Sequence, residues 1–176
     1  MPRYKLTLEY EGTPFVGWQR QRNGLSVQEV LEDAVKAFCG QDVTIFASGR
    51  TDAGVHALGQ VVHISLPIFY EPETVRKAIN QHTLPHPVAV FDVAVVDNDF
   101  HARFSATSRS YRYRIINRRD RLTLARRLAW HVPVPLDAEA MHDAAQSLLG
   151  KHDFTTFRSA RCQAKSPLKT LDELSV

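Results

Sequence analysis

One acidic and one basic residue lie two positions apart in a glycine-rich stretch of the sequence, SGRTDAGVHALGQVVHISL (residues 48–66). The residues that lead into it, VTIFASGR, are typical of a β-strand, and a strand that continues through the stretch places Arg50 and Asp52 on the same side. The arginine then favours the charged form of the carboxylate. A carboxylate on a bend beside an arginine can act as a nucleophile, so the stretch predicts a catalytic role for Asp52.

Glycines at positions 49, 54 and 59 support this prediction, because glycine lets the backbone bend sharply and lets a bulky substrate come near. A simple surface turn is the alternative, since Asp and Gly are common turn residues. The length of the stretch, the register of Arg50 with Asp52 and a basic, aromatic segment further along the chain favour the functional interpretation.

Other catalytic chemistries have less support. His56 and His63 could join Asp52 in a metal site, but the intervening glycines argue against a helix that would align these side chains. Hydrogen-bonded or solvent-facing histidines are predicted instead. The sequence contains neither a glycine-rich phosphate loop followed by Lys-Ser or Lys-Thr nor a G-x-S-x-G elbow for a nucleophilic serine.

The net charge of +3 conceals two halves of opposite sign. Residues 1–102 hold 8 Lys and Arg against 12 Asp and Glu, a balance of −4, whereas residues 103–176 hold 14 against 7, a balance of +7. Residues 103–127 contain 9 arginines and a single acid, Asp120. A segment this basic indicates a polyanionic partner, and a solvated face paired with acids elsewhere explains it equally well.

Aromatic residues alternate with arginines in the segment FHARFSATSRSYRYRIIN (residues 100–117). In a strand, Tyr111 and Tyr113 share one face, and the two arginines that follow them share the other. Arginine neutralises phosphates, and a tyrosine ring that stacks on an unpaired base contributes ~1–3 kcal/mol. The alternative is a sheet with core tyrosines and water-facing arginines, which suits Tyr113 better than Tyr111.

Apolar periodicity predicts the order β-α-β-β-α-β for the first half of the chain, which is the ferredoxin-like arrangement. The predicted helices cover residues 26–40 and 71–82, and the predicted strands cover residues 3–10, 43–51, 59–66 and 88–96. The first helix begins with a Ser26–Glu29 capping box and ends at Gly40.

The second half predicts a strand over 109–117, an irregular segment over 118–135, a helix over 137–150 and a strand that begins at 168. Asp137 is expected to cap the helix and Gly150 to end it. Its expected buried face consists of Met141, Ala144, Ala145, Leu148 and Leu149. We therefore predict an α+β protein with a complete N-terminal domain (1–102) and an incomplete second α/β domain (103–176) that carries the basic, aromatic strand.

The composition indicates a cytoplasmic protein without membrane contact. No run approaches the ~18 apolar residues that a membrane span needs, and the first residues enter a strand pattern directly instead of forming a signal peptide. Cys39 and Cys162 are far apart and suggest reduced thiols, with one disulfide as the alternative.

Four blocks of the sequence resemble the TruA family of tRNA pseudouridine synthases. In order, between residues 10 and 158, they are YEGTPFVGWQRQ, SGRTDAGVHALGQVVH, FHARFSATSRSYRYRI and LLGKHDFTTFR. The resemblance implies isomerisation of uridine to pseudouridine in the anticodon stem-loop of tRNA. It implies that Asp52 attacks the flipped-out nucleotide at ribose C1′ or uracil C6, and that Arg50 helps to extrude the base. It also implies that Tyr111 stacks on the target uracil and assists removal of the C5 proton.

The resemblance further implies tRNA as the partner, a homodimer, and neither a metal nor a small-molecule cofactor. The family fold consists of two ferredoxin-like halves with the active site in the cleft between them. Candidate contacts to the tRNA backbone are Arg20, Arg103, Arg109 and Arg112. Family members are longer by roughly a third, and the additional part supplies an arginine for the catalytic aspartate, so we expect a C-terminally truncated chain with weak or no activity.

Two competing functions make different demands on the sequence. A non-catalytic RNA-binding module could use the same basic segment, but it would not need the pair formed by Arg50 and Asp52. A metal-dependent hydrolase built on Asp52, His56 and His63 is the least favoured hypothesis, because the spacing does not suit a shared metal ion.

Overall fold

The computed structural model describes residues 1–158 and 166–176 and divides into two compact units, residues 1–111 and 112–176. The sequence predicted a boundary at residue 102. Residues 103–111 belong to the first unit because Ala102 and Arg109 hydrogen-bond to residues of its sheet and the adjoining loop. Cys39 is a half-buried free thiol, and Cys162 lies outside the described residues.

Four antiparallel strands form the sheet of the first unit, in the spatial order β2-β3-β1-β4. The strands are β1 (Arg3–Tyr10), β2 (Phe46–Ala47), β3 (Ala57–Ser65) and β4 (Val88–Val96). Helix α1 (Val27–Cys39) connects β1 to β2, and helix α2 (Pro72–Thr83) connects β3 to β4. These elements follow one another in the predicted order and confirm the mixed α/β class.

Helix α1 begins and ends where its sequence signals predict. Ser26 Oγ accepts a hydrogen bond from the Glu29 amide at 3.2 Å, which is the serine half of the predicted capping box. At the other end, Gly40 adopts a left-handed conformation (φ +72°) and donates its amide to the Lys36 carbonyl at 2.8 Å. The helix therefore has a fixed length and presents one apolar face to the sheet.

The core lies between the two helices and one face of the sheet. Alternation along β1 buries every second side chain, from Tyr4 to Tyr10, as the period of two requires. The largest fully buried side chains are Tyr4, Leu6, Leu8, Leu31, Ile64, Leu66 and Ile79. Burial of one such side chain contributes about 1.5–3 kcal/mol, so the core fixes the strands and the loops that leave them.

The second unit contains two small pairs of strands and one helix. Strands β5 (Ile115–Asn117) and β6 (Trp130–Val132) are parallel, and β7 (Gly150–Asp153) and β8 (Leu168–Leu171) are antiparallel. Helix α3 (Ala138–Gln146) starts at the predicted cap, because Asp137 Oδ1 accepts from the Ala140 amide at 3.0 Å. No described residue of this unit is buried.

Several predictions for the second unit were wrong. The strand expected over 109–117 is reduced to β5, and the segment expected to be irregular contains β6. Helix α3 ends at Gln146, and Gly150 begins β7 with φ +94° instead of ending the helix. Short strands and amphipathic helices need a second layer to bury their apolar side, and the described part of this unit contains no such core.

The predicted buried face of α3 is correspondingly incomplete. Ala144 is exposed, and the other four apolar residues predicted for this face are only half-buried. Among the residues that the structure describes, no helix is both long and apolar enough to cross a lipid bilayer.

Candidate active site

Asp52 lies in the loop of residues 48–56, which connects β2 to β3. Strand β2 ends at Ala47, so strand alternation does not set the directions of Arg50 and Asp52, and that part of the prediction was wrong. Both side chains are exposed. The loop thus presents a carboxylate and a guanidinium two positions apart to solvent.

Hydrogen bonds hold this loop against Tyr10, the last residue of β1, and against Trp18 in the segment that follows β1. The Trp18 amide donates to the Thr51 carbonyl at 2.9 Å, and the Val55 amide donates to the Asp52 carbonyl at 3.2 Å. The hydroxyl oxygens of Tyr10 and Thr51 are 2.7 Å apart. The residues on both sides of the Asp52 side chain are therefore held in place although the side chain itself is exposed.

Two glycines of the early block YEGTPFVGWQRQ let this contact form. A Cβ on Gly12 would lie 2.0 Å from the Val55 carbonyl oxygen, and a Cβ on Gly17 would lie 2.8 Å from the Thr51 carbonyl oxygen. Gly17 also has φ +116°, which favours glycine. The loop of Asp52 and the early block consequently pack backbone against backbone.

The glycines that the sequence had singled out have different roles. Gly54 has φ +79° and makes the predicted bend. Gly59 lies inside β3, where the register with β1 shifts, and no atom lies within 4 Å of a Cβ placed on it. A Cβ on Gly49 would lie at ordinary contact distance, 3.7 Å, from Nε of Arg109.

His56 and His63 serve the structure of the first unit. His56 Nδ1 accepts a hydrogen bond from the Gly12 amide at 3.0 Å, and His63 Nδ1 accepts from the Ala102 amide at 3.1 Å. Among the described residues, no group of three or more His, Cys, Asp or Glu side chains is arranged to hold a metal ion. The described residues therefore contain no preformed metal-binding site of this kind.

His63 anchors the segment that follows β4. Its ring is 2% exposed, stacks on Phe46 with centroids 4.9 Å apart, and meets the His101 ring edge-on at 4.7 Å. Burial, together with the positive charges that His101 and Arg3 can carry, lowers the pKa of His63 to about 4. His63 is therefore neutral near pH 7, as its acceptor role requires.

Arg109 ties the same segment to the start of the Asp52 loop. Its Nη2 donates to the Ser48 carbonyl at 2.8 Å and to the Arg103 carbonyl at 3.2 Å, and its Nε donates to the Ser48 carbonyl at 3.3 Å. Tyr111 follows two residues later and is 72% exposed. The first unit therefore contains Arg50, Asp52 and Tyr111 together.

The other predicted RNA-binding arginines lie in different settings. Arg20 pairs with three acids of α1, at 3.3 Å from Glu29, 3.3 Å from Glu32 and 3.9 Å from Asp33. Arg103 is exposed and lies over the Phe104 ring at 5.8 Å. Arg112 is exposed and begins the second unit.

Comparison with known proteins identifies the family. The sequence pattern of the tRNA pseudouridine synthase family matches residues 7–105 and 144–176. The chain belongs to the tRNA pseudouridine synthase family. This pseudouridine synthase is 63% identical over all of its 176 residues to tRNA pseudouridine synthase A of Parvibaculum lavamentivorans, and it covers 72% of that protein.

Two further relatives are similar to this pseudouridine synthase over its whole length. The tRNA pseudouridine synthases A of Paramagnetospirillum magneticum and Xanthobacter autotrophicus are 62% and 59% identical, and the chain covers 69% and 72% of them. These matches confirm the resemblance found in the sequence and the prediction of an isomerase. The loop of Asp52 lies within the family match, whereas Tyr111 lies between its two segments.

Sequence reasoning missed several residues that support the Asp52 loop in this pseudouridine synthase. Tyr10, Gly12, Gly17 and Thr51 fix the loop, yet none had been assigned to it, and the two glycines had been predicted only to interrupt regular structure in the early loop. A signal was available, because the first three lie in the block that resembled the family. Their partners could not be read from the sequence, since each contact joins positions more than thirty residues apart.

Proposed function

We propose that Asp52 is the nucleophile for isomerisation of uridine to pseudouridine in the anticodon stem-loop of tRNA. The observation that carries this proposal is the setting of Asp52, an exposed carboxylate on a loop whose flanking backbone is fixed by Thr51 and Val55. Such a loop leaves the carboxylate free to reach a nucleotide while its starting position stays defined. A module that only bound RNA would not need this arrangement.

The reaction replaces the N1–C1′ bond between uracil and ribose with a C5–C1′ bond. If Asp52 attacks C1′, its carboxylate forms an ester as the N1–C1′ bond breaks, the uracil turns, and C5 then displaces the carboxylate. If Asp52 attacks C6, it activates the base for the same detachment and is released afterwards. In both routes N1 gains a proton and C5 loses one, so the product is an isomer and no electrons are gained or lost.

Arg50 and Tyr111 are assigned to the target nucleotide. Flipping a base out of a stacked arm costs a few kcal/mol. Arg50 is exposed two residues from Asp52, which suits a cation that enters the vacated stack. Tyr111 offers an exposed ring that can stack on the extruded uracil, contribute ~1–3 kcal/mol, and assist loss of the C5 proton.

Contacts to the tRNA backbone are assigned first to Arg103 and Arg112. Both are exposed at or near the start of the arginine-rich segment. Arg20 and Arg109 were predicted for the same role, but Arg20 already faces three carboxylates and Arg109 already donates to two carbonyls. Their share of the phosphate contacts is therefore smaller.

Further features of the proposal concern fold and assembly. The element order and the sheet order β2-β3-β1-β4 support a ferredoxin-like first unit, with the second unit as part of a related half. We also propose a homodimer that acts in the cytoplasm and uses neither a metal nor an organic cofactor. Sedimentation of the purified protein with and without tRNA tests the dimer.

Release of tritium from C5-labelled uridine in tRNA tests the role of Asp52, with enzyme in excess so that slow turnover is still visible. Asp52→Asn keeps the size of the side chain and removes the nucleophile, so isomerisation is lost while tRNA affinity changes little. Asp42→Asn is the matched control, because Asp42 is an exposed acid outside the loop, paired with Lys36 at 2.9 Å.

Two results would contradict the proposal. Tritium release by Asp52→Asn at the rate of Asp42→Asn would exclude Asp52 as the nucleophile. Parallel loss of tRNA affinity and turnover, with an unchanged unfolding temperature, would favour the RNA-binding module instead.

A further inference from the structure

We propose that Arg109 is a positioning residue that holds the Tyr111 segment against the loop of Asp52. This inference rests on the proposed function and goes beyond it, because Arg109 was expected to contact tRNA phosphates. Its guanidinium instead donates to the carbonyls of Ser48 and Arg103 at 2.8 and 3.2 Å. One side chain thereby joins the entry of the catalytic loop to the segment that carries the stacking tyrosine.

The Ser48 end of this connection is itself fixed. The Ser48 amide donates to the Val61 carbonyl at 2.8 Å, and Ser48 Oγ donates to Gln60 Oε1 at 3.4 Å. Gln60 also donates its side-chain amide to the Gly49 carbonyl. Arg109 therefore binds the carbonyl of a residue that is itself hydrogen-bonded to β3.

The other end of the segment is fixed as well. Ala102 donates its amide to buried His63, and the Phe104 and Ser105 amides donate to the His101 carbonyl at 2.9 and 2.8 Å. Residues 102–109 thus form a bridge with one attachment on β3 and one at Ser48. The Arg109 side-chain bonds are the attachment that lies nearest to Tyr111, two residues before it.

The shape of the guanidinium explains why arginine is needed. Its donors lie in a rigid planar fork, so Nε and Nη2 can share the Ser48 carbonyl while Nη2 also reaches the Arg103 carbonyl. A lysine ammonium has the same charge but is a flexible point donor. Arg109→Lys therefore keeps any attraction to phosphate and loses the two-carbonyl geometry.

This difference provides the test. In the same tritium-release assay with enzyme in excess, Arg109→Lys and Arg109→Ala should both lower the rate of release by about 10–100-fold, because a misplaced reacting group costs on this scale. Their tRNA Kd and the salt dependence of binding should stay within about twofold of the unsubstituted protein. Arg112→Ala is the comparison, since loss of one phosphate contact should lower the slope of log K against log salt by about 1.

Hydrogen exchange supplies a readout that does not depend on activity. Both Arg109 variants should exchange faster in peptides that cover residues 48–52 and 103–111, with peptides of β1 unchanged. If Arg109→Lys released tritium at the rate of the unsubstituted protein, and Arg109→Ala lowered the slope of log K against log salt, Arg109 would be a phosphate contact. That result would overturn the inference. Unchanged exchange in both peptides would overturn it as well. Turnover by Asp52→Asn would instead indicate that the proposed function has failed.

Discussion

The phenol oxygen of Tyr10 lies 2.7 Å from the hydroxyl oxygen of Thr51, the residue that precedes Asp52. Tyr10 is the last residue of β1 and its side chain is 4% exposed. Its ring packs against Trp18, with ring centroids 6.1 Å apart. Burial raises the pKa of Tyr10, although its hydrogen bond to Thr51 opposes the rise, so the phenol keeps its proton near neutral pH. A core side chain therefore hydrogen-bonds directly to a side chain in the loop of Asp52.

Removing this hydrogen bond should weaken both the fold and the reaction. Tyr10→Phe leaves the Thr51 hydroxyl without its partner and should lower the free energy of unfolding by about 1 kcal/mol in urea titrations. We expect kcat to fall more than tRNA affinity, since the loop of Asp52 becomes less well placed. Thr51→Ser keeps the hydroxyl and should retain most of the rate, whereas Thr51→Val should not; equal rates for the two would contradict this role.

Gly17 offers a separate test of the contact between backbones. Gly17→Ala meets both an unfavourable φ of +116° and a carbonyl 2.8 Å from the new methyl group. Gly40→Ala is the matched control, because Gly40 has φ +72° with nothing within 4 Å. The control should cost about 1 kcal/mol of unfolding free energy, and Gly17→Ala should cost clearly more and also reduce tritium release. Similar losses in the two variants would show that the loop moves aside easily.

His63 should make the stability of the first unit depend on pH. Its pKa lies near 4 in the folded protein, below its ordinary value of 6.5, so between these pH values the unfolded chain binds a proton that the folded protein does not. The free energy of unfolding should therefore fall by about 1–3 kcal/mol as the pH is lowered from about 6.5 to 4.

His63→Asn isolates this contribution, because its side-chain oxygen can accept from the Ala102 amide and does not titrate in this range. Urea titrations at several pH values should show a smaller loss of stability in the variant than in the unsubstituted protein. His101 and Arg3, the charged neighbours of His63, remain in both proteins, and so do all carboxylates. Parallel pH profiles would mean that His63 does not cause the dependence.

Arginines with different neighbours should differ in how they respond to salt. Arg103→Ala should lower the slope of log K against log salt for tRNA binding by about 1, as expected for one lost phosphate contact. Arg20→Ala should change the slope less, because the Arg20 charge is already offset by Glu29, Glu32 and Asp33. Filter binding at four or five salt concentrations measures both slopes; a larger change for Arg20→Ala would reverse this order.

Local signals in the sequence were sufficient where neighbouring residues decide the structure. Ser26 and Gly40 marked the ends of α1, and alternation marked β1 and β4, because caps and side-chain periods act within a few residues. The same rules failed for residues 109–114, which alternate like a strand but have no strand partner. A strand exists only when another strand pairs with it, and that depends on distant parts of the chain.

The sequence alone determined the order of the main elements in the first half, the position of Asp52 in a glycine-containing loop, and the family. Only the tertiary structure decided what holds that loop. Tyr10 hydrogen-bonds to Thr51, the backbone of Gly17 packs closely against the Thr51 carbonyl, and Arg109 donates to the Ser48 carbonyl. Arg109 was expected to contact phosphates, and its hydrogen bonds in the folded structure led instead to the proposal that it is a positioning residue. The reason is physical, since helix and strand patterns follow from short-range sterics, whereas these contacts join residues 34 to 61 positions apart that only the folded core brings together.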